Sequence, residues 1–464
     1  MTEEDLAPGF EILPQPPKRR HGKLLTSIAA VVVLGAGGAI SYVAFSASGG
    51  GASSPDKAVQ NVIGDLQNAD LIGVLDDLAP GERAALSGAL NDDVASLKRL
   101  GVLADGADPT GVSGVHFAAH DLTYADKTIT VNDHVQIVQI TGGSVDLGGN
   151  VAQLPFTQRF LDLTHAPDKD QSQHVTIDHP VRIAAEKVDG GWYASLFYTA
   201  ADAAAGHRIP AAGDSIPAVG ADTPEDAVDK LIRSALSLDL RSVIGIVSPD
   251  ELGALHDYGA MLAANLPTPH ALPVTLKSID FTSTPITDGM RVSIKDVSLT
   301  VQGQQINAAI NGGCATVDAG PLHETVCPKD APNLIGGLVG GLSCAGFSYG
   351  SSSGGSGGGM VGPHHVIKSR ASSHASSPMP APAPSILPSS GAGTFGCQSP
   401  KFTDAQKQAI TDLLTGLISS GGVDTAQVGG QWFITPVRTL ADLGANVLGA
   451  LKGDDLYVLS SIGR

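Results

Sequence analysis

The chain has 464 residues, with 28 Lys and Arg against 46 Asp and Glu, for a formal charge of −18. That acidity excludes a general nucleic-acid binder, which needs basic surface to displace counterions from phosphates. Four cysteines exclude a fold held mainly by disulfides, while 57 Gly, 29 Pro and only 4% aromatic residues predict that part of the chain does not pack into a core.

In chain order, the first feature is Leu24–Phe45, 22 residues without a charge, preceded by Lys18, Arg19, Arg20 and Lys23. As a helix it would be about 33 Å long, enough to cross a bilayer of about 30 Å. Positive charge stays on the cytoplasmic side. The expectation is a single-pass plasma-membrane protein: cytoplasmic tail 1–23, transmembrane helix 24–45, linker 46–53, and an extracytoplasmic bulk. A cleaved signal peptide ending near Ala44-Phe45-Ser46 is the alternative. The long charged leader and Pro14, Pro16 and Pro17 favour an uncleaved anchor. No cysteine follows the span to carry a lipid. Gly35 and Ala39 form a small-xxx-small pair, which is frequent in any Ala/Gly-rich span.

The rest contains an internal repeat. Ser54-Pro55-Asp56-Lys57-Ala58-Val59 aligns with Thr223-Pro224-Glu225-Asp226-Ala227-Val228 at an offset of 169, and Asp70, Pro80 and Glu82 align with Asp239, Pro249 and Glu251. Val188-Asp189-Gly190-Gly191-Trp192-Tyr193 aligns with Val428-Gly429-Gly430-Gln431-Trp432-Phe433 at an offset of 240, so the second copy carries an insertion of about seventy residues. Copy one is 54–205, a linker 206–221, and copy two 222–464 with a low-complexity insertion at 347–396.

Each copy opens with a capped helix: Ser or Thr at the N-cap, Pro first, an acid in the first turn. Apolar residues then recur at helical spacing (Ala58, Val59, Val62, Ile63, Leu66; Ala227, Val228, Leu231, Ile232). The helix breaks near Asp70 or Asp239, a short second helix runs from Leu71 or Leu240, and a third opens at Glu82 or Glu251. Strands follow at Val135–Ile140, Val175–Ile177, Val181–Ile183, Val292–Ile294 and Val297–Val301, and each copy closes with a glycine turn into a Trp strand. Helices first and antiparallel strands after predict an α+β class.

The (S/T)-P-(D/E)-x-A-V opening, the Asp where the first helix ends and the closing (D/G)-G-x-W-(Y/F) strand resemble the nuclear transport factor two-like (SnoaL-like) superfamily, and uncharacterised actinobacterial single-pass membrane proteins carrying such domains outside the membrane. The resemblance covers two stretches per copy. It implies a cone, with a curved antiparallel sheet wrapped around the helices and an apolar pocket at its mouth, used as an enzyme site, a ligand site, or not at all. No catalytic set carries over.

Gly/Ser and Pro/Ala runs within 347–396 predict a disordered insertion. Gly350–Gly354 matches G-x-S-x-G, but lacks the strand and helix that a nucleophile elbow requires. Cys314, Cys327, Cys344 and Cys397 allow three pairings; Cys314–Cys327 with Cys344–Cys397 is favoured because the second would staple the insertion. Four free thiols are the alternative. Asp404–Ser419 has the spacing of an amphipathic helix.

Four sequence neighbours pair His with Asp: His120-Asp121, Asp133-His134, Asp178-His179 and His256-Asp257. On a strand, adjacent residues point to opposite faces, so none is a dyad by sequence. His364, His365 and His374 lie in the low-complexity tract, a poor preorganised metal site. Asp70 and Asp239 read as caps of the next helix, and Glu82 and Glu251 as first-turn acids facing a helix dipole. Trp192 and Trp432 are core or pocket aromatics. No metal, cofactor or catalytic set is assigned. The functional expectation is a non-enzymatic cell-envelope binding or scaffolding protein, touching the bilayer through one helix and taking an apolar ligand or an envelope protein as partner. A pocket hydrolase or isomerase is one alternative, and an accessory subunit of a flagellar or secretion machine another.

Overall fold

The computed structural model describes residues 50–107, 114–150, 153–164, 171–264, 273–311, 313–320, 322–330 and 402–462. Ser54 caps α1 (Pro55–Gln67), its hydroxyl accepting the Lys57 N–H at 3.3 Å, and Thr223 does the same for α6 (Pro224–Leu236) through Asp226 N–H at 3.1 Å. Asp70 caps α2 (Leu71–Asp76) through Gly73 N–H, and Asp239 caps α7 (Leu240–Gly245) through Ser242 N–H, as their placement predicts. The connections just before these caps turn through left-handed Ala69 and Leu238, at φ 53° and 60°. The third helices are α3 (Pro80–Arg99) and α8 (Pro249–Ala263).

Repeat one then forms β1 (Val115–Tyr124), β2 (Ile129–Thr130), β3 (Val135–Gly149), α4 (Gln158–Thr164), β4 (Gln171–Thr176), β5 (Val181–Val188), β6 (Gly191–Ser195) and α5 (Leu196–Ala204). The long β3 organises the sheet. Its first half pairs antiparallel with β5 and its second with β4, while β1 runs along the opposite edge. The β1–β3 register slips between His120 and Thr123, opposite Gly143, whose φ of 105° suits glycine. That irregularity bends the sheet around the helices.

Repeat two has β7 (Val274–Ile286), β8 (Gly289–Val301), β9 (Gln304–Asn311), β10 (Cys314–Ala319), β11 (Leu322–Val326), α9 (Asp404–Ser419), β12 (Val423–Val428), β13 (Gln431–Ile434), α10 (Pro436–Ala450) and α11 (Asp455–Ser460). Here β8 is the organiser: β7 lies on one edge, β9 and β12 on the other. Its partners mirror those of β3. The extra sequence of this repeat falls between β9 and β12 and includes the β10–β11 hairpin and α9. Single bridges recur at matching places, Ala52 with Trp192 and Ala221 with Trp432, Leu78 with Ala194 and Val247 with Ile434.

The class is therefore mixed α and β with curled antiparallel sheets, and the transmembrane part of the expected fold is corrected. Among the described residues no helix is long and apolar enough to cross a membrane. The longest, α3, carries Glu82, Arg83, Lys98 and Arg99, charges too costly to place in hydrocarbon. Leu24–Phe45, on which the anchor and the plasma-membrane location rested, lies outside the described residues, as do 347–396 and Cys344 and Cys397. The single-pass location is withdrawn.

The repeats share core. Val135, Ile137, Ala184 and Tyr198 of the first pack with Ala254 and Tyr258 of the second. Leu100 and Val102 pack with Leu451, Val447 and Leu448. Arg99 donates to the Leu448 and Gly449 carbonyls at the end of α10, where cations are favoured.

Candidate functional site

Repeat one holds a cavity of about 100 Å³ between its helices and its curved sheet. Val62, Ile63 and Leu66 of α1, with Val74 and Leu78, form the helical wall; Phe117, Ile140, Val145, Ile177 and Ile183 form the sheet wall. These positions follow from periodicity. Every third or fourth residue of α1 faces in, and alternate residues of β1 and β3 do so. Only two polar side chains reach the lining, Ser195 and Thr199.

Both hydroxyls are occupied. Ser195 donates to the Glu82 carboxylate and accepts the Tyr198 N–H, capping α5. Thr199 donates to the Ser195 carbonyl at 2.6 Å and accepts the Ala184 N–H at 2.9 Å. A guest would meet no free donor and at most one spare lone pair on each of these two hydroxyl oxygens, so polar guests lose most of their hydration without replacement.

Glu82 sits just behind this wall, 3% exposed. It accepts Leu196 N–H at 2.8 Å and Phe197 N–H at 3.0 Å as well as the Ser195 hydroxyl. The dipole it faces is that of α5, not of its own helix. Burial outweighs these three bonds and pushes its carboxyl up to about 7. The pair Glu82–Ser195 combines a raised acid with a hydroxyl at a cavity, yet the corresponding Glu251 likewise accepts the Arg438 N–H at the start of α10. The feature common to both repeats is helix capping.

The aromatic candidates lie elsewhere. Trp192 packs with Ala58 and Ala185, and Trp432 against the Val228 and Ile434 cluster; neither lines the cavity. Cys314 and Cys327 are joined by a disulfide that closes the β10–β11 hairpin. Of the His–acid neighbours, His179 contacts Asp178 at 2.9 Å on the surface, and buried His256 places its two ring nitrogens against the Ile216 and Val247 carbonyls. His120 instead reaches Asp146, which His174 also contacts; His174 and then His120 hold that carboxyl below its ordinary value. None of these groups faces the cavity. Among the described residues no group of three or more His, Cys, Asp or Glu could hold a metal ion.

Sequence reasoning missed three buried interactions. Asp202, 2% exposed, is paired with Arg182 at 2.8 Å and with His207 at 2.7 Å. Asp442 aligns with Asp202, but Gly422 occupies the place of Arg182. Arg291 enters that space from the neighbouring strand, with its Cγ 2.8 Å from where a Gly422 Cβ would lie, and binds buried Asp424 through two bonds of 2.7 and 2.8 Å as well as Asp442. At the junction of the repeats, Asp257 accepts from Tyr198 at 2.7 Å and Asn132 at 2.6 Å.

No family model matches the chain, and no curated protein matches it. Among solved structures, an Ntf2-like protein involved in plasmid conjugation is similar over 46% of this chain and 76% of its own, at 10% identity and a TM-score of 0.12. A likeness at that level carries no argument about activity, and the actinobacterial membrane proteins of the expected resemblance gain no support from it.

Proposed function

We propose that the chain is a non-enzymatic binding protein, with the repeat-one cavity taking an apolar group of a small molecule or lipid and repeat two bracing it. The observation that carries this reading is the lining: hydrocarbon throughout, save two hydroxyls already engaged. A catalytic site needs convergent polar groups free to act on a substrate, and this cavity offers only surface for hydrophobic contact. Left empty, about 100 Å³ of cavity costs about 2 kcal/mol of stability; a guest that fills it recovers that amount.

The test uses benzene, an apolar probe of a size suited to a small cavity, and the substitution Ala194→Leu, which extends a side chain of the lining into the cavity. The wild-type chain is expected to bind one benzene, read as a rise in melting temperature, and Ala194→Leu to lose that rise while unfolding at higher urea. An undiminished benzene-induced rise in a folded Ala194→Leu chain would refute the assignment.

A further inference from the structure

The segment that joins the repeats is fastened across the α6–α7 corner of repeat two and walls a hollow of about 310 Å³ there. Val219 N–H donates to the Gly245 carbonyl at 2.7 Å. Ile216 N–H donates to the His256 carbonyl at 2.8 Å, and its own carbonyl lies 2.9 Å from Nδ1 of the buried His256 ring. The approach is close: a Cβ on Gly245 would lie 3.3 Å from the Pro217 carbonyl oxygen. Ile216, Pro217, Val219 and Ile246 give the hollow an apolar surface, and Val219 is 58% exposed. Two cations, Lys230 of α6 and Arg241 of α7, line it together with Ser234 and Ser242.

These cations are open to a guest. Lys230 Nζ donates to the Gly220 carbonyl at 3.0 Å, which positions the ammonium and leaves two of its three N–H groups. Among the described residues the Arg241 guanidinium enters no hydrogen bond or ion pair; its charge acts on Asp239, whose carboxylate is taken up by the Ser242 N–H at 3.1 Å and hydroxyl at 2.6 Å. No acid lines the hollow, although the chain carries a net charge of −18. The same corner of repeat one, with the same Asp cap and left-handed turn, folds without these groups. At an offset of 169 it has Asn61 for Lys230 and Ile72 for Arg241, and Asp76 and Asp77 for Gly245 and Ile246. The cations are therefore not required to build the corner. Two like charges on one hollow repel, and an anion between them turns that repulsion into attraction.

We propose that this hollow binds a small amphiphilic oxyanion, a phosphate or carboxylate head on a short hydrocarbon tail. The planar fork of Arg241 and the ammonium of Lys230 take the head. Ile216, Pro217, Val219 and Ile246 cover the tail. Both parts are needed: a bare anion leaves the apolar surface wet, and an alcohol leaves both cations unpaired. The site is separate from the repeat-one cavity, whose lining contains no charged side chain, and it takes a different class of guest.

The experiment titrates hexyl phosphate into the full chain by calorimetry at low salt. One molecule is expected to bind, at least about tenfold more tightly than inorganic phosphate or hexanol, and to weaken as salt is raised. Arg241→Gln alters an exposed residue with no bond to lose, so it should fold as the wild type does and bind about five- to tenfold more weakly; Lys230→Gln serves as the second variant, with the same expected loss. Ala194→Leu, which fills the cavity of repeat one, should bind hexyl phosphate as the wild type does. Absence of hexyl phosphate binding, or unchanged affinity in both folded cation variants, would overturn the site. Equal affinity for inorganic phosphate or for hexanol would overturn the amphiphile assignment. Loss of binding in Ala194→Leu would place the probe in repeat one and overturn the proposal, leaving the apolar cavity standing.

Discussion

Glu82→Ala tests the capping logic that the two repeats share. At pH 8, where the carboxyl is ionised, the wild-type side chain accepts from one hydroxyl and two backbone N–H groups in a site only 3% exposed. Truncation leaves three donors without a protein acceptor, each costing about 1–3 kcal/mol when buried. Water entering the vacated space relieves part of this, so the expected loss is about 4 kcal/mol. Glu251→Ala is the matched control. Pro436 stands where repeat one has Leu196 and has no N–H to offer. Glu251 Oε2 and the Thr435 hydroxyl have no partner among the described residues, and Arg438 N–H donates at 2.8 Å. The Val437 N–H also acts on the carboxylate, so the loss should be about 2–3 kcal/mol, below that of Glu82→Ala. Urea unfolding of both variants reads the difference as a shift of midpoint at constant slope. Equal losses, or a larger one for Glu251→Ala, would show that the caps are not what holds these glutamates in place.

Three further outcomes are expected. Glu82 is raised from 4.5 to about 7 by burial, so the native state favours its protonated form; stability should fall as pH rises from about 4.5 through 7, with Glu82 contributing at most about 3 kcal/mol and Glu186, raised to about 7 by burial and then by the charge of Glu82, adding to the fall. Thermal melts at pH 5 and pH 8 read this, and Glu82→Gln should narrow the gap; coincident wild-type melts would refute it. Arg291→Met strands the fully buried Asp424 and should cost about 3–5 kcal/mol in a urea titration, whereas a loss under 1 kcal/mol would mean that the pair is dispensable. Reducing Cys314–Cys327, which are 13 residues apart, should destabilise the hairpin by about 3 kcal/mol. Hydrogen exchange should then quicken in β10 and β11 while repeat one is unchanged; uniform quickening would place the bridge's effect on the whole unit.

What the sequence made legible is local. Ser54, Thr223, Asp70 and Asp239 act on N–H groups three residues away, and residue spacing alone reveals them. Asp404–Ser419 is the helix its apolar spacing predicts, and Thr403 and Gln406 close a capping box on it. What spacing does not reveal is contact across more than a hundred residues. By spacing Glu82 reads as an acid in the first turn of its own helix, yet its partners are 113–115 positions away. Arg291 replaces Arg182 from a different strand, a substitution visible only once β8 and β12 are known to pair. The cavity is illegible for the same reason: it is a volume left between walls, and each wall reads in sequence as ordinary core. Trp192 has the opposite fault. Its recurrence admits a core or a pocket role and spacing does not choose between them; the ring packs on Ala58 and Ala185, away from the cavity lining.

The duplication sharpens the functional argument. Where both repeats keep a residue, fold is sufficient explanation: the caps, the left-handed turns before them, the Trp bridges and the glutamates that reach the closing helices. Where they part, fold no longer explains the choice. Repeat two gives up the Leu196 N–H for Pro436 and adds a disulfide-closed hairpin. It also places Ala254 and Tyr258 in the core of its neighbour and closes α10 on Arg99. These are the changes expected of a brace, since they lengthen the sheet and tie the two cores together. Repeat one keeps an apolar cavity between α1, α2 and its sheet, a feature that costs stability unless a guest fills it.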